Sequence, residues 1–146
     1  MAVNTTARVN APLISKAKLE AGVLAAVRVV ASFLFVSHGG QGTFGWFGGV
    51  DGAGAATPFG QWPGYYAGVI EMVGGALILI GLFTRYAAVL CSGVMAYAYF
   101  VVHQPMGLHP LENMGELSAI YSWVFLLIAV FGPGALALDN LRRSRR

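Results

Sequence analysis

The sequence predicts an all-α polytopic membrane protein, a bundle of four transmembrane helices with both termini in the cytoplasm. Of its 146 residues, 57% are apolar and only 10% are charged, and the mean hydropathy is +0.67. Soluble domains carry about 25% charged residues, so this composition favours a membrane protein. Four apolar segments each approach the roughly 20 residues that a helix needs to cross a bilayer. They are residues 19–38, 62–83, 86–103 and 114–131.

These apolar segments are predicted to be helices rather than strands. Every backbone amide inside a bilayer must be paired within the protein, and the strict alternation of a membrane barrel is missing from the segments. A single transmembrane domain over residues 19–134 follows, with a cytoplasmic arm at residues 1–18 and a basic cytoplasmic tail at residues 135–146.

The basic residues outside the spans predict the orientation, because short cytoplasmic segments are enriched in Lys and Arg. Loops 39–61 and 104–113 contain neither residue type. The other side holds Arg8, Lys16, Lys18, Arg85, Arg142, Arg143, Arg145 and Arg146. The net charge of +3 is therefore explained by topology. Membrane lipids, and not nucleic acid, are the predicted partners.

Two ionisable residues are predicted to lie deep within the spans. Arg28 lies about 15 Å below the outer end of the first helix, and Glu71 lies about 13.5 Å below the start of the second. Because an unpaired charge in lipid is costly, the sequence predicts an intramembrane ion pair between Arg28 and Glu71. Such a pair either fixes the helix register or takes part in proton movement or ligand binding.

A candidate polar site is predicted in the outer half of the bundle. Its members are His38, Gln41, Tyr99, His103, Asn113 and Glu116. Histidines there bind metals, move protons or donate to a quinone carbonyl. The spacings match no metal signature, so no metal is predicted, and a haem between His38 and His103 is disfavoured. Asn113 and Glu116 also have the spacing of a helix capping box.

The first outer loop is predicted to be folded rather than a linker. Nine glycines lie between His38 and Trp62, together with Phe44, Trp46, Phe47 and Phe59. Glycine permits close backbone approach, and aromatic side chains favour the membrane interface, whereas linkers are usually polar.

The run RVVASFLFVSHGGQGTFG at residues 28–45, followed by IEMVGGALILIG at residues 70–81 and by Thr84 and Arg85, resembles the DoxX family of small bacterial membrane proteins. The resemblance covers about the first three spans and implies a bacterial inner-membrane location. The site residues that it carries over are Arg28, His38, Gly39, Glu71, Gly74 and Gly75. The family pattern usually has Lys four positions after the helix-end His, and Gly42 stands there.

The resemblance implies several functions. Some family members resemble subunits of thiosulfate:quinone oxidoreductase, and others resemble partners in membrane complexes that handle oxidative or thiol stress. The first hypothesis is a redox subunit whose outer site binds a quinone and exchanges protons with it. The alternatives are a non-catalytic subunit that docks other membrane or peripheral proteins, and a transporter of protons or small solutes. Whether the chain is an enzyme, and whether it assembles with itself, stays open at this level.

Overall fold

The computed structural model describes residues 15–143, which form helices and no strands. The main helices are α1 (Lys16–Phe44), α2 (Gly64–Ile80), α3 (Thr84–Tyr97), α4 (Glu116–Phe131) and the short α5 (Leu138–Arg143). A π-helical segment, Ala98–His103, and a 3₁₀ turn, Gln104–Met106, continue α3. Most of the predicted arm and the last three residues of the predicted tail lie outside the described residues.

Two of these helices are long and apolar enough to cross a membrane. They are Lys16–Phe44, with 29 residues, and the continuous segment Thr84–Met106, with 23 residues. Helices α2 and α4 are also apolar but have 17 and 16 residues. The prediction of an all-helical fold is confirmed.

The helices pack in chain order, α1 against α2, α2 against α3, and α3 against α4. At the centre, the Phe35 ring lies 5.1 Å from that of Tyr121 and 4.6 Å from that of Phe125, and all three residues are buried. Ile78 and Cys91 pack in the same core. Offset aromatic contacts of this kind add about 1 kcal/mol each to the burial of the rings.

Helix α1 continues six residues beyond the predicted end of the first span at His38. It ends at Phe44, where Gly45 adopts a left-handed conformation with φ of 75°. The prediction ended the span where the apolar run ended, but α1 continues through Gly39 and Gly40, which are buried against other parts of the chain. This extension changes which residues of α1 and α2 face each other.

The turn between α2 and α3 contains a Gly-Leu-x-Thr-Arg motif at residues 81–85. Gly81 ends α2 in a left-handed conformation with φ of 73°. The carboxylate of Asp139 then accepts hydrogen bonds from the Phe83 amide at 2.9 Å, the Thr84 amide at 2.9 Å and the Thr84 hydroxyl at 2.8 Å. Asp139 therefore caps the start of α3 and fastens the chain after α4 to this turn.

Arg85, the last residue of the motif, stabilises the end of α4. Its Nη1 donates to the carbonyl oxygens of Ala129 at 2.7 Å and Val130 at 2.6 Å. These carbonyls belong to the last turn of the helix, where no backbone amide follows in register to pair with them. The motif thus joins three helix ends at one end of the bundle.

The Asp139 cap predicts that the stability of the folded protein depends on pH. Burial favours the neutral acid, but the hydrogen bonds from Thr84 and Phe83 outweigh burial and lower the pKa of the Asp139 carboxyl. A lowered pKa stabilises the folded state above the unfolded pKa of about 3.9, and that stability is lost as the pH falls through the folded value. We expect Asp139→Asn to remove this dependence and to speed amide hydrogen exchange at Phe83 and Thr84. Asp51→Asn is the matched control.

Asp51 is a suitable control because its carboxylate also accepts backbone amide hydrogen bonds, from Ala53 and Ala55, at the other end of the bundle. Its pKa is likewise lowered by those hydrogen bonds. Unchanged exchange at Phe83 and Thr84 in Asp139→Asn, or equal acceleration in Asp51→Asn, would contradict the cap.

Candidate functional site

Arg28 and Glu71 do not form the predicted ion pair. Glu71 Oε2 lies 2.8 Å from His38 Nδ1. The Arg28 guanidinium, only 1% exposed, donates instead to backbone carbonyl oxygens. These acceptors belong to Ile78, Leu79, Pro133, Ala135 and Leu136.

The register of α1 against α2 explains why the predicted pair is wrong. Gly39 packs on Glu71, whereas Arg28 lies beside Gly81. Glu71 and Gly81, the residues beside Gly39 and Arg28, are ten residues apart along the chain. At the helical rise this is about 15 Å. The sequence-based depths were measured from His38 and Trp62, but α1 ends at Phe44 and α2 begins at Gly64.

The His38–Glu71 pair is buried on one side and accessible on the other. The Glu71 side chain is 5% exposed and the His38 side chain is 50% exposed. Because Nδ1 of His38 is held by the carboxylate, Nε2 is the nitrogen left for a ligand, and it has no hydrogen-bond partner among residues 15–143. A carboxylate on one ring nitrogen fixes the tautomer and orientation of the imidazole. The pair can therefore take up and release a proton at Nε2.

Glycines permit this close approach of the helices. A Cβ atom on Gly39 would lie 2.8 Å from both the Glu71 Cβ and the Gly68 carbonyl oxygen. On α2, a Cβ on Gly75 would lie 2.8 Å from Val36, and one on Gly74 would lie 2.5 Å from Cys91 Sγ. The segment from Glu71 to Gly75, with the pattern Glu-x-x-Gly-Gly, thus fits α2 against both α1 and α3, with Glu71 turned towards α1.

Two further buried side chains lie in the core next to this pair. Cys91 on α3 is fully buried, and its Sγ would lie 2.5 Å from a Cβ on Gly74, one turn after Glu71. Tyr121 on α4 is 8% exposed, and its ring lies 5.1 Å from that of Phe35, one turn before His38. The pair between α1 and α2 therefore borders the core to which α3 and α4 contribute.

Gln41, one turn beyond His38, holds the outer loop on α1. Its Nε2 donates to the Gly49 carbonyl oxygen at 3.0 Å. The Trp46 ring covers Gly40 so closely that a Cβ there would lie 2.0 Å from a ring carbon. The loop is thus folded back over the end of α1 that carries the pair.

His103 and Asn113 form a second, separate group. His103 Nδ1 lies 3.0 Å from the Asn113 carbonyl oxygen. The fully buried Asn113 side chain donates to the Gly107 carbonyl at 2.7 Å and accepts from the Gly115 amide at 2.8 Å. These bonds organise the connection between the π-helical segment and α4.

The remaining predicted members of the outer site have different positions. Tyr99 packs beside Gly115, where a Cβ would lie 2.9 Å from the ring. Glu116 is exposed in the first turn of α4, which has Gly115 at its N-cap, so the predicted capping box with Asn113 is not formed. The hydrogen bonds of the described residues thus divide the predicted site into two groups. Within residues 15–143, no three His, Cys, Asp or Glu side chains are grouped to hold a metal ion.

A groove of about 440 Å³, which was not predicted from the sequence, runs between the outer loop and the helices α2 and α3. Its lining is mostly apolar and includes the exposed rings of Trp62 and Tyr97. The lining residues that matter here are Thr57, Gln61, Trp62, Tyr97 and Val102. A cluster of Trp and Tyr flanking an apolar run was the available signal.

Comparison with known proteins identifies the family. The DoxX family model matches residues 23–104, more than half of the chain. The chain belongs to the DoxX family.

This DoxX protein is 41% identical over 120 residues to an uncharacterized protein of Haemophilus influenzae, covering 80% of this chain and 88% of that one. It is 34% identical over 79 residues to the inner membrane protein YqjF of Escherichia coli, covering 53% and 59% of the two chains. No solved structure matches. The chain is thus a DoxX-family membrane protein.

Proposed function

We propose that this DoxX protein crosses the bacterial inner membrane four times, with both termini in the cytoplasm. Helices α2 and α4 span about 26 Å and 24 Å at the helical rise, close to a hydrocarbon core of about 30 Å. Both carry exposed apolar side chains, such as Val73 on α2 and Trp123 and Val130 on α4. The distribution of Lys and Arg and the name of the YqjF relative support the orientation and the membrane.

Within that membrane, the chain acts as a quinone-linked subunit of a redox complex. The observation that carries this function is the His38–Glu71 pair, in which a buried carboxylate holds a half-exposed imidazole at 2.8 Å. Reduction of a quinone to a quinol consumes two electrons and two protons. The electrons come from an electron-donating partner subunit, His38 Nε2 supplies one proton to a quinone carbonyl, and water at the outer surface supplies the other. Glu71 stabilises the imidazolium before transfer.

The groove beside α2 and α3 suits the apolar part of such a ligand. Amphipathic ligands bind in largely apolar clefts with a few polar groups. Thr57 lines the groove, and its amide donates to the carbonyl oxygen of Gly42, one turn beyond His38. The loop segment at Thr57 therefore links the groove to the end of α1 that carries His38.

Replacing His38 by Gln tests this proposal. We expect the purified protein to bind a short-chain ubiquinone analogue, and His38→Gln to weaken binding about tenfold, the loss of one hydrogen bond of about 1.4 kcal/mol. Titration of tryptophan fluorescence quenching measures the affinity. His109→Gln is the matched control, because His109 is exposed and belongs to neither polar group. Equal affinities for the wild type and His38→Gln, or no quinone binding, would overturn the proposal.

A docking subunit without a cofactor is the second candidate. The burial of Arg28 favours it, because the guanidinium is used entirely on backbone carbonyls and so serves the rigidity of the bundle. Native mass spectrometry of protein extracted from its own membrane separates the two candidates. A stoichiometric complex that holds no quinone favours docking, and a retained quinone favours the redox subunit.

A further inference from the structure

A second groove, of about 830 Å³, lies at the opposite end of the bundle from His38. It is bounded by the start of α1, the start of α3, the end of α4 and the helix α5. Its lining includes Glu20, Leu24, Arg85, Tyr86, Phe131, Asp139 and Arg142. None of them belongs to the proposed quinone site.

The groove contains two cations whose charge is not neutralised by a direct ion pair within residues 15–143. The guanidinium of Arg142 lies 4.8 Å from the centre of the Phe83 ring, which orients it by a cation–π contact. Arg85 uses Nη1 to hold the end of α4, which leaves Nε and Nη2 without a hydrogen-bond partner in the same part of the chain.

The acidic residues of the groove already have partners. Asp139 accepts three hydrogen bonds from Phe83 and Thr84. The Glu20 carboxylate lies 3.6 Å from Lys16 Nζ. The Asp139 carboxylate attracts Arg142 but forms no direct ion pair with it, because its oxygens accept from Phe83 and Thr84. The guanidinium donors of Arg142 and Arg85 are therefore the groups available to a ligand, which favours an anion.

The walls of the groove are apolar and open to the surroundings. Tyr86 is 81% exposed and Phe131 is 69% exposed, and Leu24 lines the same groove. Guanidinium groups therefore lie beside apolar surface at the ends of membrane-spanning helices. Basic pockets in this position on the cytoplasmic side bind phosphate-containing lipid headgroups.

We propose that this groove binds an anionic phospholipid, with its phosphate at Arg142 and Arg85 and its acyl chains along Tyr86 and Phe131. The site is structural or regulatory; it rests on the proposed orientation, which puts this end of the bundle in the cytoplasm, and does not depend on the quinone proposal. Arginine suits the phosphate because its planar donors match two phosphate oxygens at once.

Lipid titration of the delipidated protein in a neutral detergent tests the proposal, with native mass spectrometry as the readout. We expect phosphatidylglycerol to bind more tightly than phosphatidylcholine, and Arg142→Gln to weaken phosphatidylglycerol about fivefold, the factor for about 1 kcal/mol per basic residue. Lys18→Gln is the matched control, since Lys18 is exposed at the same end of the bundle and lies outside the groove. Circular dichroism verifies that both variants fold.

Three results would overturn the site. Equal weakening by Lys18→Gln and Arg142→Gln would mean diffuse attraction to a charged surface. Equal binding of the two lipids, which both carry a phosphate, would mean that the groove does not select an anionic headgroup. Displacement of phosphatidylglycerol by millimolar inorganic phosphate, with phosphate bound to the protein in its place, would mean a site for a soluble anion.

Discussion

Arg28→Met is expected to lower the free energy of unfolding by an amount on the order of 4 kcal/mol, because several hydrogen bonds to a charged group are lost at once. The side chain joins α1 to the last turn of α2, through Ile78 and Leu79, and to the chain after α4. The Ile78 carbonyl keeps the Gly81 amide as a donor at 3.0 Å, but the carbonyls of Leu79 and Leu136 lose the donor that Arg28 supplies. Unfolding in mixed micelles of increasing SDS content measures the change.

Lys18→Met is the matched control for Arg28→Met. It removes the same charge from the same helix at an exposed position, and we expect a change within about 0.5 kcal/mol. Arg28→Lys keeps the charge but not the planar fork and is expected to fall between the two. A loss below about 1 kcal/mol in Arg28→Met would show that the carbonyl contacts do not hold the helix ends together.

The double variant Arg28→Met with Glu71→Gln distinguishes the observed arrangement from the ion pair predicted from sequence. Paired residues show coupling of about 0.5–3 kcal/mol, whereas distant residues are additive within about 0.5 kcal/mol. Because Arg28 lies beside Gly81, and Glu71 beside Gly39, we expect additivity. Strong coupling between the two substitutions would instead support the ion pair that was predicted from the sequence.

The fold was largely predictable from apolar runs, but one helix end was not. Hydropathy placed the starts of α2 and α4 within two residues of Gly64 and Glu116. It missed the six residues of α1 beyond His38, because Gly39 and Gly40 are buried by contact with Met72 and Trp46 and not by their own apolar side chains. Hydropathy depends on side chains only. It therefore does not detect a helix segment whose backbone is buried by close contact with neighbouring residues.

The candidate site was predictable as a set of residues but not as a set of contacts. Ionisable residues within the apolar spans predicted Arg28 and Glu71, the outer polar cluster predicted His38, and the resemblance to the DoxX family added to both, yet the structure pairs Glu71 with His38. The error in register came from the missed end of α1. The acceptors of Arg28 are backbone carbonyls, which any residue type supplies, so no sequence motif marks them. Asn113 was predicted as a member of the outer site that also had the spacing of a capping box with Glu116, and its side chain instead joins Gly107 and Gly115.

Gly39→Ala is expected to destabilise the protein by about 2 kcal/mol, the usual range for inserting a methyl group into a packed contact. The new Cβ would lie 2.8 Å from the Gly68 carbonyl oxygen, which is helix backbone and does not move without shifting α2. Because Glu71 is on the same face of α2, the 2.8 Å contact to His38 is expected to lengthen, and the affinity for the quinone analogue should fall with stability.

Gly22→Ala supplies the control within the same helix. No atom lies within 4 Å of a Cβ at Gly22, so the added methyl group meets open space. Alanine also has the higher helix propensity, and we expect Gly22→Ala to stabilise α1 by about 0.5–1 kcal/mol. Gly39→Ala and Gly22→Ala make the same chemical change on one helix, but the first is expected to lower the stability of the protein and the second to raise it. If both stabilise the protein, α1 and α2 are not in the close contact that brings His38 to Glu71, and the proton-exchanging pair loses its structural basis.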